Sequence, residues 1–586
     1  MSTENRTKSW IYPTIRTISI IFLTIIIVVI IQNIIINAKT DKFLISNKLN
    51  IKDDKFIDDT IALTSAIKQM NKQRISRTNS TFNYQNKTFE TIIQCVGPLY
   101  NQSCLYKNLY YVNKTFMILA VKGRQLPNYF VRTNAFSLYD KTIKKRDFKS
   151  YSDLEKFVLN LIDLKRVPSV TLYFGQLWHW NIGHALFDGL YPAYVALIRF
   201  SPRHLQPFRI LTEIRNCKDC WSEDVYSRFS GLGIMKIAVL DEMSKRKWFL
   251  FDEIIMGSGK LCQRCVQSNL QLPGGVELDA SRLFRDRMYQ QHGLIHSIIR
   301  KNSSSEHRKS SDILQAYIIH NKRFTTNDRI EINDTMNELN NYANFYLNKT
   351  IKKRKWPLIH VTYLHYNKIQ GQDPNSFRIN ATPIDSRSPI YELIDNNFMT
   401  QLRTVRQMDI HITGPGTGQM YQTFLSDGSV TINVGGLKSK NKFTSYMEQH
   451  MTSGTPYIKG LYYPINKRSK GIKKDELIKS IRQAGQLILQ GFSLPVNPRE
   501  NLALDGQLFV EMCERDTKFC SLVTDRSSNN TFACVDFWPE DFVHEHNQWK
   551  KGGYIRNGRR VTCPFNRSLF YELREKYGIK YKDPVD

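Results

Sequence analysis

The chain of 586 residues has no Asp-x-Asp motif, and its acidic side chains are few, 53 Asp and Glu against 83 Lys and Arg. The missing motif removes the commonest carboxylate arrangement for holding a divalent cation beside a phosphorylated ligand, so no metal is expected. The formal net charge of +30 invites a nucleic-acid reading. No RNA- or DNA-binding module accompanies it, and the basic residues are spread through residues 37–90, 141–147, 351–355 and the C-terminal tail. Solvated faces and attraction to anionic ligands account for the charge, and nucleic acid is not an expected partner. The first apolar run lacks a good small-x-small exit, since Ile36-Asn37-Ala38 is a poor one, which argues against a cleaved signal peptide. The chain ends Lys-Asp-Pro-Val-Asp586 rather than Lys-Asp-Glu-Leu, which favours the Golgi over the endoplasmic reticulum as its address.

What is present begins with that run. Ile18 to Ile36 is almost wholly Ile, Val, Leu and Phe, interrupted by Ser19, Thr24, Gln32 and Asn33. At about 1.5 Å per helical residue it is long enough to span a bilayer. Arg6, Lys8 and Arg16 precede it and Lys39, Lys42 and Lys48 follow, so flanking charge alone orients it weakly. The remainder orients it better. Asn-x-Ser/Thr acceptors stand at Asn79, Asn86, Asn101, Asn113, Asn302, Asn333, Asn348, Asn380, Asn529 and Asn566. Ten cysteines follow the run, grouped as Cys95 with Cys104, Cys217 with Cys220, Cys262 with Cys265, and Cys513, Cys520, Cys534 and Cys563. In an oxidising lumen these read as disulfides in preference to zinc ligands. The expected order is a cytosolic tail (1–17), a transmembrane anchor (18–36), a stem (37–90) and a lumenal folded part, a single-pass type II arrangement.

At 41% hydrophobic and 12% aromatic residues the lumenal part can bury substantial cores. Strand patterns at Ser169 to Phe174, Arg209 to Thr212, Ile234 to Leu240 and Glu253 to Met256, with a helix over Ala280 to Ile299, form a first set. A polar stretch from Lys301 to Ser311 separates it from a second: the Tyr317 strand, a helix over Asp334 to Leu347, Trp356 to Tyr363, a helix over Tyr391 to Arg406, and the helical Asp475 to Gln490. This α/β alternation predicts two Rossmann-like domains facing a cleft, residues 91–305 and 306–497, with a small cysteine-containing C-terminal region at 498–586.

Three blocks carry candidate chemistry. Asn181, His184 and Asp188 stand at i, i+3 and i+7 within an apolar run and would share one helical face, the carboxylate placed to orient the imidazole as a general base. A core histidine beside a capping asparagine would give the same pattern. Tyr317 to His320 runs into Lys322, Arg323 and then Arg329, cations suited to a diphosphate, although a solvated basic turn would read alike. Ile410 to Thr413, the glycines Gly414, Gly416 and Gly418, a short helix and the Asp427-Gly428 turn form a strand, a glycine turn that lets backbone approach a ligand, and a helix start that favours negative charge.

In order and spacing these blocks resemble the glycosyltransferase 61 family, over roughly residues 90 to 470. The family's Asn-x-x-His-x-x-x-Asp/Glu-like segment maps onto Asn181, His184 and Asp188, and its basic strand end with an Arg-x-x-Asn-like segment onto Arg323, Arg329 and Asn333. Its glycine loop and Phe-Leu-x-x-Gly-Ser-Val run map onto Gly416, Thr417, Gly418, Phe424, Leu425, Gly428, Ser429 and Val430. Pro415 stands where the family has histidine, and His411 lies at the wrong spacing to replace it. The resemblance implies a GT-B type, metal-independent transferase that moves a hexosyl, N-acetylglucosaminyl or pentosyl group from a nucleotide-sugar donor, UDP-linked, to a glycan or glycoprotein hydroxyl. Inversion follows from a single displacement. His184 and Asp188 would be the catalytic base and its orienter, Asn181 a substrate contact, and Arg323, Arg329, Gly416, Thr417 and Gly418 the donor site. A lumenal glycan-binding protein without turnover, or a hydrolase using the same His/Asp pair, is the competing class.

Overall fold

The computed structural model describes residues 89–96, 102–127, 143–161, 163–175, 182–212, 221–257, 280–294, 313–347, 354–365, 398–437, 444–445, 449–468, 470–518, 554–556, 559–561 and 566–579. The expected anchor, the stem up to residue 88 and Asn181 lie outside these residues, as do the cysteines other than Cys95, Cys104 and Cys513. Among the described residues no helix is long and apolar enough to cross a membrane.

The first half of the chain builds one mixed sheet. Its strands are β1 (Ile92–Val96), β2 (Ser103–Val112), β3 (Thr115–Val121), β4 (Ile143–Phe148), β5 (Lys165–Phe174), β6 (Phe208–Thr212), β7 (Gly231–Lys236) and β8 (Phe249–Met256). They lie in the order β4-β3-β2-β8-β5-β6-β7, with β1 also paired to β2. Cys95 and Cys104 are register partners on β1 and β2 and form a disulfide, as their grouping suggested. From β8 to β7 every pairing is parallel. Chain order runs outward from β5 through β6 to β7, then returns to the other side of β5 as β8. The direction of travel therefore reverses between β5 and β8, a topological switch point.

Alternation along β5 puts Leu172 and Phe174 in the core under helices α2 (Tyr191–Ile198) and α3 (Trp221–Ser230). Tyr173 joins the opposite core with Ile237 and Leu240 of α4 (Ile237–Ser244). The Ile234 to Leu240 pattern had read as one strand; instead β7 ends at Lys236 and the chain turns helical, because Ile237 and Leu240 bury at helical spacing.

The second sheet is wholly parallel: β9 (Leu314–Ile319), β10 (Ile359–Leu364), β11 (Ile410–Thr413), β12 (Val430–Asn433) and β15 (Lys459–Tyr462), ordered β10-β9-β11-β12-β15. Between β12 and β15 comes a small hairpin, β13 (Gly436–Leu437) with β14 (Thr444–Ser445). In chain order the five-stranded sheet has the flavodoxin-like 2-1-3-4-5 arrangement, whose switch point lies between β9 and β11. Leu314, Ala316 and Ile318 bury against α6 (Thr326–Leu347) and α11 (Lys474–Gln490). On the other face Ile319 joins α7 (Phe398–Arg406) and the helical segment 417–424. Helix α6 begins at Thr326, earlier than the expected Asp334, because Thr325 and Asp328 form a reciprocal cap: Asp328 N donates to Thr325 Oγ1 at 3.1 Å and Thr325 N to Asp328 Oδ2 at 3.0 Å. Helix α5 (Ala280–Gln291) stops short of the expected Ile299, where Gly293 takes φ +68° and Leu294 N donates back to Tyr289 O.

One core runs through both halves. Leu190, Tyr194, Phe284 and Tyr289 from the first share it with Leu402, Phe424, Leu425 and Tyr457 from the second, and residues 88–586 form a single compact unit. Helices α12 (Leu504–Arg515) and α13 (Arg567–Lys576) pack beyond the second sheet's closing elements, with Cys513 buried in α12.

Candidate functional site

The carboxyl ends of β9, β11 and β12 converge at the second switch point. Asn321, immediately beyond β9, is buried; its Nδ2 donates to Pro415 O at 2.9 Å and its Oδ1 accepts from Arg323 N at 2.9 Å. One side chain thus fixes both the basic turn and the glycine turn. Gly414 is tightly hemmed: a Cβ there would stand 3.0 Å from Asn321 Nδ2 and from Gly435 O, so a larger residue would push the neighbours aside. Gly416 has to be glycine for its φ of +122°, while the space beside it is open. Gly436 lies so close to Pro415 and to the Arg323 stem that a Cβ would come within 3.0 Å of each. Pro415 is buried there. Gly416, Thr417 and Gly418 after it are half-buried, Arg323 is half-buried, and Arg329 and Asn333 are exposed on α6. The helix after the glycines is only α8 (Thr417–Met420) followed by a 3-10 turn, Tyr421–Phe424. So short a helix offers individual amides and little macrodipole.

Beneath that segment is a buried polar layer. His411 is fully buried, its Nδ1 3.4 Å from Thr431 Oγ1, and burial pushes its imidazole down to about 3 against the pull of a hydrogen bond to the Gly418 backbone. His411 thus supports the loop from below as a neutral ring. Gln419 Nε2 donates to Gln422 Oε1 at 2.6 Å and to Thr431 Oγ1 at 3.1 Å, and Thr452 Oγ1 donates to Gln422 at 2.8 Å.

At the first switch point the segment after β5 is helical, but with a wide turn. Residues His184–Leu190 are π-helical, and Tyr191 N donates to Leu186 O five residues back before α2 continues with Pro192 in its first turn. The helix type thus changes at Leu190, where Pro192 would obstruct a regular α-helix. Ile182, Ala185, Leu186, Phe187 and Leu190 are buried, and Tyr226 Oη donates to Ala185 O at 2.7 Å, which pins the wide turn. His184 and Asp188 belong to this turn, but their side chains lie outside the described residues.

The two switch-point segments touch. Phe187 packs against Phe424 at 6.0 Å between ring centroids, and Phe284 of α5 lies 6.2 Å from the first and 6.0 Å from the second. Helix α5, together with Tyr457, also clamps the end of the 417–424 segment. Three successive carbonyls are capped: Thr423 by Tyr457 Oη at 2.6 Å, Phe424 by Tyr289 Oη at 2.6 Å, and Leu425 by Arg285 Nη1 at 2.8 Å. Arg285 is fully buried, pairs with Asp427 at 2.7 Å and Asp286 at 2.9 Å, and stacks on Tyr457 at 4.4 Å. Burial opposes its charge, and Tyr457, Asp286 and Asp427 more than offset that. In the first turn of α6 Asp328, also fully buried, accepts from Arg468 Nη2 at 3.0 Å and from Ile472 N at 2.7 Å, while Arg468 Nε donates to Val434 O at 2.9 Å.

Sequence reasoning missed Asn321, Arg285, Arg468 and the histidines at the strand ends, His320 and His365. Only Asp427 was signalled, by its place in the Phe-Leu-Ser-Asp-Gly run. Among the described residues no cluster of His, Cys, Asp and Glu could hold a metal ion. The chain matches no protein-family model and no curated protein sequence.

Proposed function

We propose that the chain is a glycosyltransferase akin to the glycosyltransferase 61 family, of GT-B type, acting as a type II membrane protein of the Golgi lumen. The observation that carries this reading is the placement of the sequence blocks. The 182–190 segment follows the first switch point, the basic and glycine turns meet at the second, and Phe187 packs on Phe424 between them. Open α/β sheets bind ligands at such points. On this reading Arg323, Arg329 and the Gly416 to Gly418 amides, Thr417 among them, hold the diphosphate of a UDP-linked sugar, with no metal or other cofactor required. His184, oriented by Asp188, takes the proton of an acceptor hydroxyl held with the help of Asn181. The freed oxygen forms the new bond to the anomeric carbon as the bond to the diphosphate breaks, which inverts that centre, and the cations and amides stabilise the leaving charge.

One observation favours a glycan-binding protein on the same scaffold: Pro415 has no donor hydrogen where an imidazole would carry one. The discriminating experiment incubates the purified lumenal part with a panel of nucleotide sugars and a glycan mixture and measures nucleotide release. Release abolished by His184→Ala and Arg323→Ala is expected. Silence with every donor would support the binding protein, and sugar release from a glycan without any nucleotide donor would reveal a hydrolase.

A further inference from the structure

The Asn-x-Ser/Thr motifs are alike in sequence, and the fold separates them. Three of the acceptors stand among the described residues, Asn113, Asn333 and Asn566. Asn113 occupies the tip of the hairpin between β2 and β3. Val112 pairs with Thr115, so the connection is only Asn113 and Lys114, and both have positive φ, +46° and +60°, the mark of a type I′ turn in which asparagine is favoured. The last residue of α4 braces this turn: Asn113 N donates to Ser244 O and Lys114 N to Ser244 Oγ, each at 3.0 Å. Asn113 and Lys114 are exposed, and the Asn113 side-chain amide makes no hydrogen bond among the described residues. Thr115 is half-buried, and its Oγ1 donates back to Asn113 O at 3.2 Å, which keeps the hydroxyl of the motif beside the acceptor residue.

We propose that Asn113 is a site of N-linked glycosylation and that Asn333, despite carrying the same motif, is not. This rests on the lumenal placement in the reading above. The co-reactant is an oligosaccharide carried on a lipid diphosphate. The amide nitrogen of Asn113 forms a bond to the anomeric carbon of the first sugar as that carbon's bond to the diphosphate oxygen breaks; the amide gives up one proton and the lipid diphosphate leaves. The motif demands an amide and a hydroxyl, so the transferring enzyme must reach the two together. The hairpin offers both within one turn. On α6 residues two apart do not face each other: Asn333 is exposed, whereas Thr335 is fully buried and its Oγ1 is bonded to Glu331 O at 2.8 Å. Asn566 serves as a reference. It is exposed together with Ser568, and its Oδ1 caps α13 by accepting from Leu569 N at 3.1 Å, which leaves the amide nitrogen open.

The test expresses the full chain in a eukaryotic secretory cell, extracts it in detergent and treats it with peptide-N-glycosidase in heavy-oxygen water, so that each modified asparagine maps as an isotope-labelled aspartate. Conversion at Asn113 with Asn333 unconverted is expected. Asn113→Asp, which tolerates the positive φ of the turn, and Thr115→Val, which keeps a β-branched residue in the strand, should each remove one glycan's step of gel mobility. Thr115→Ser should retain it. Conversion at Asn566 or another acceptor with Asn113 unconverted overturns this inference alone, as does conversion at Asn333. No conversion at any acceptor removes the lumenal reading and this inference with it.

Discussion

Replacing Arg285 by Met removes the cation that joins α5 to the end of the glycine-loop helix. Three things are lost together: the bond to Leu425 O, the pairing with Asp427, and the stacking on Tyr457. Removing one partner of a buried ion pair costs about 3–5 kcal/mol. Here the lower end applies, because Arg282 Nη2 remains 3.1 Å from Asp427 and keeps part of its neutralisation. About 3 kcal/mol is expected for Arg285→Met. Asp427→Asn, which leaves Arg285 paired with Asp286, should cost about 2 kcal/mol. The double variant should lose about 3 rather than 5 kcal/mol, since removing both members leaves only the partly exposed Arg282 and Asp286 without these partners and no fully buried charge unpaired, a coupling of about 2 kcal/mol. Urea unfolding followed by circular dichroism measures all three against the unmodified chain. Costs that add to within about 0.5 kcal/mol would show that the two residues act independently and would refute the clamp.

Three further outcomes follow from the same structure. Burial lowers the pKa of His411, to about 3, and also those of His204 and His292. The His411 ring stays neutral in the fold while the unfolded chain protonates near 6.5, so stability should fall as pH drops from about 6.5 toward 3, by about 1.4 kcal/mol per unit for His411, with His204 and His292 adding in the same direction, and His411→Gln should blunt the loss in acid unfolding curves. Asp328→Ala should cost about 3–5 kcal/mol by stranding Arg468 and uncapping α6; denaturant midpoints no lower than those of surface controls would sink that assignment. Gly414→Ala should destabilise the fold by about 1–3 kcal/mol through contact with Asn321 and Gly435, whereas Gly416→Ala acts through its φ, at a similar cost, and should weaken donor binding without touching the core.

The parallel strands were the most legible part of the chain. Segments such as Ile410 to Thr413 and Val430 to Asn433 alternate apolar with polar residues, Ile410, Ile412, Val430 and Ile432 meeting the core while His411 and Thr431 form the buried polar layer on the other face, and that alternation reads the same way in sequence and in structure. Helix starts were less legible. The Thr325/Asp328 cap is a short-range signal, but it falls among the basic residues that drew attention to the turn for another reason. The π-turn at His184 to Leu190 could not be read from spacing, since residues four apart stay roughly on one face in either helix type. Arg285 and Arg468 were invisible for a deeper reason. Each is defined by partners about 140 residues away, and a buried arginine carries no local mark that separates it from a solvated one.

That distinction also organises the charge of the molecule. Three of the buried arginines are matched within the fold: Arg285 to Asp427 and Asp286, Arg468 to Asp328 and Val434 O, and Arg287 to the carbonyls of Phe229 and His204 at 2.8 and 3.0 Å. Lys322 and Arg329, at the second switch point, are exposed and make no ion pair among the described residues. Asp328 is the carboxylate nearest to them in the chain, and it is turned inward and held by Arg468. The positive field there therefore arises less from an excess of cations than from sequestration of the local acid, which ties donor affinity to a contact that never touches the ligand. Asp328→Asn, which keeps the shape while removing that acid, should then strand the Arg468 charge at a site already rich in cations. Tighter diphosphate binding beside a lower unfolding midpoint would support this, whereas unaltered or weakened binding would contradict it.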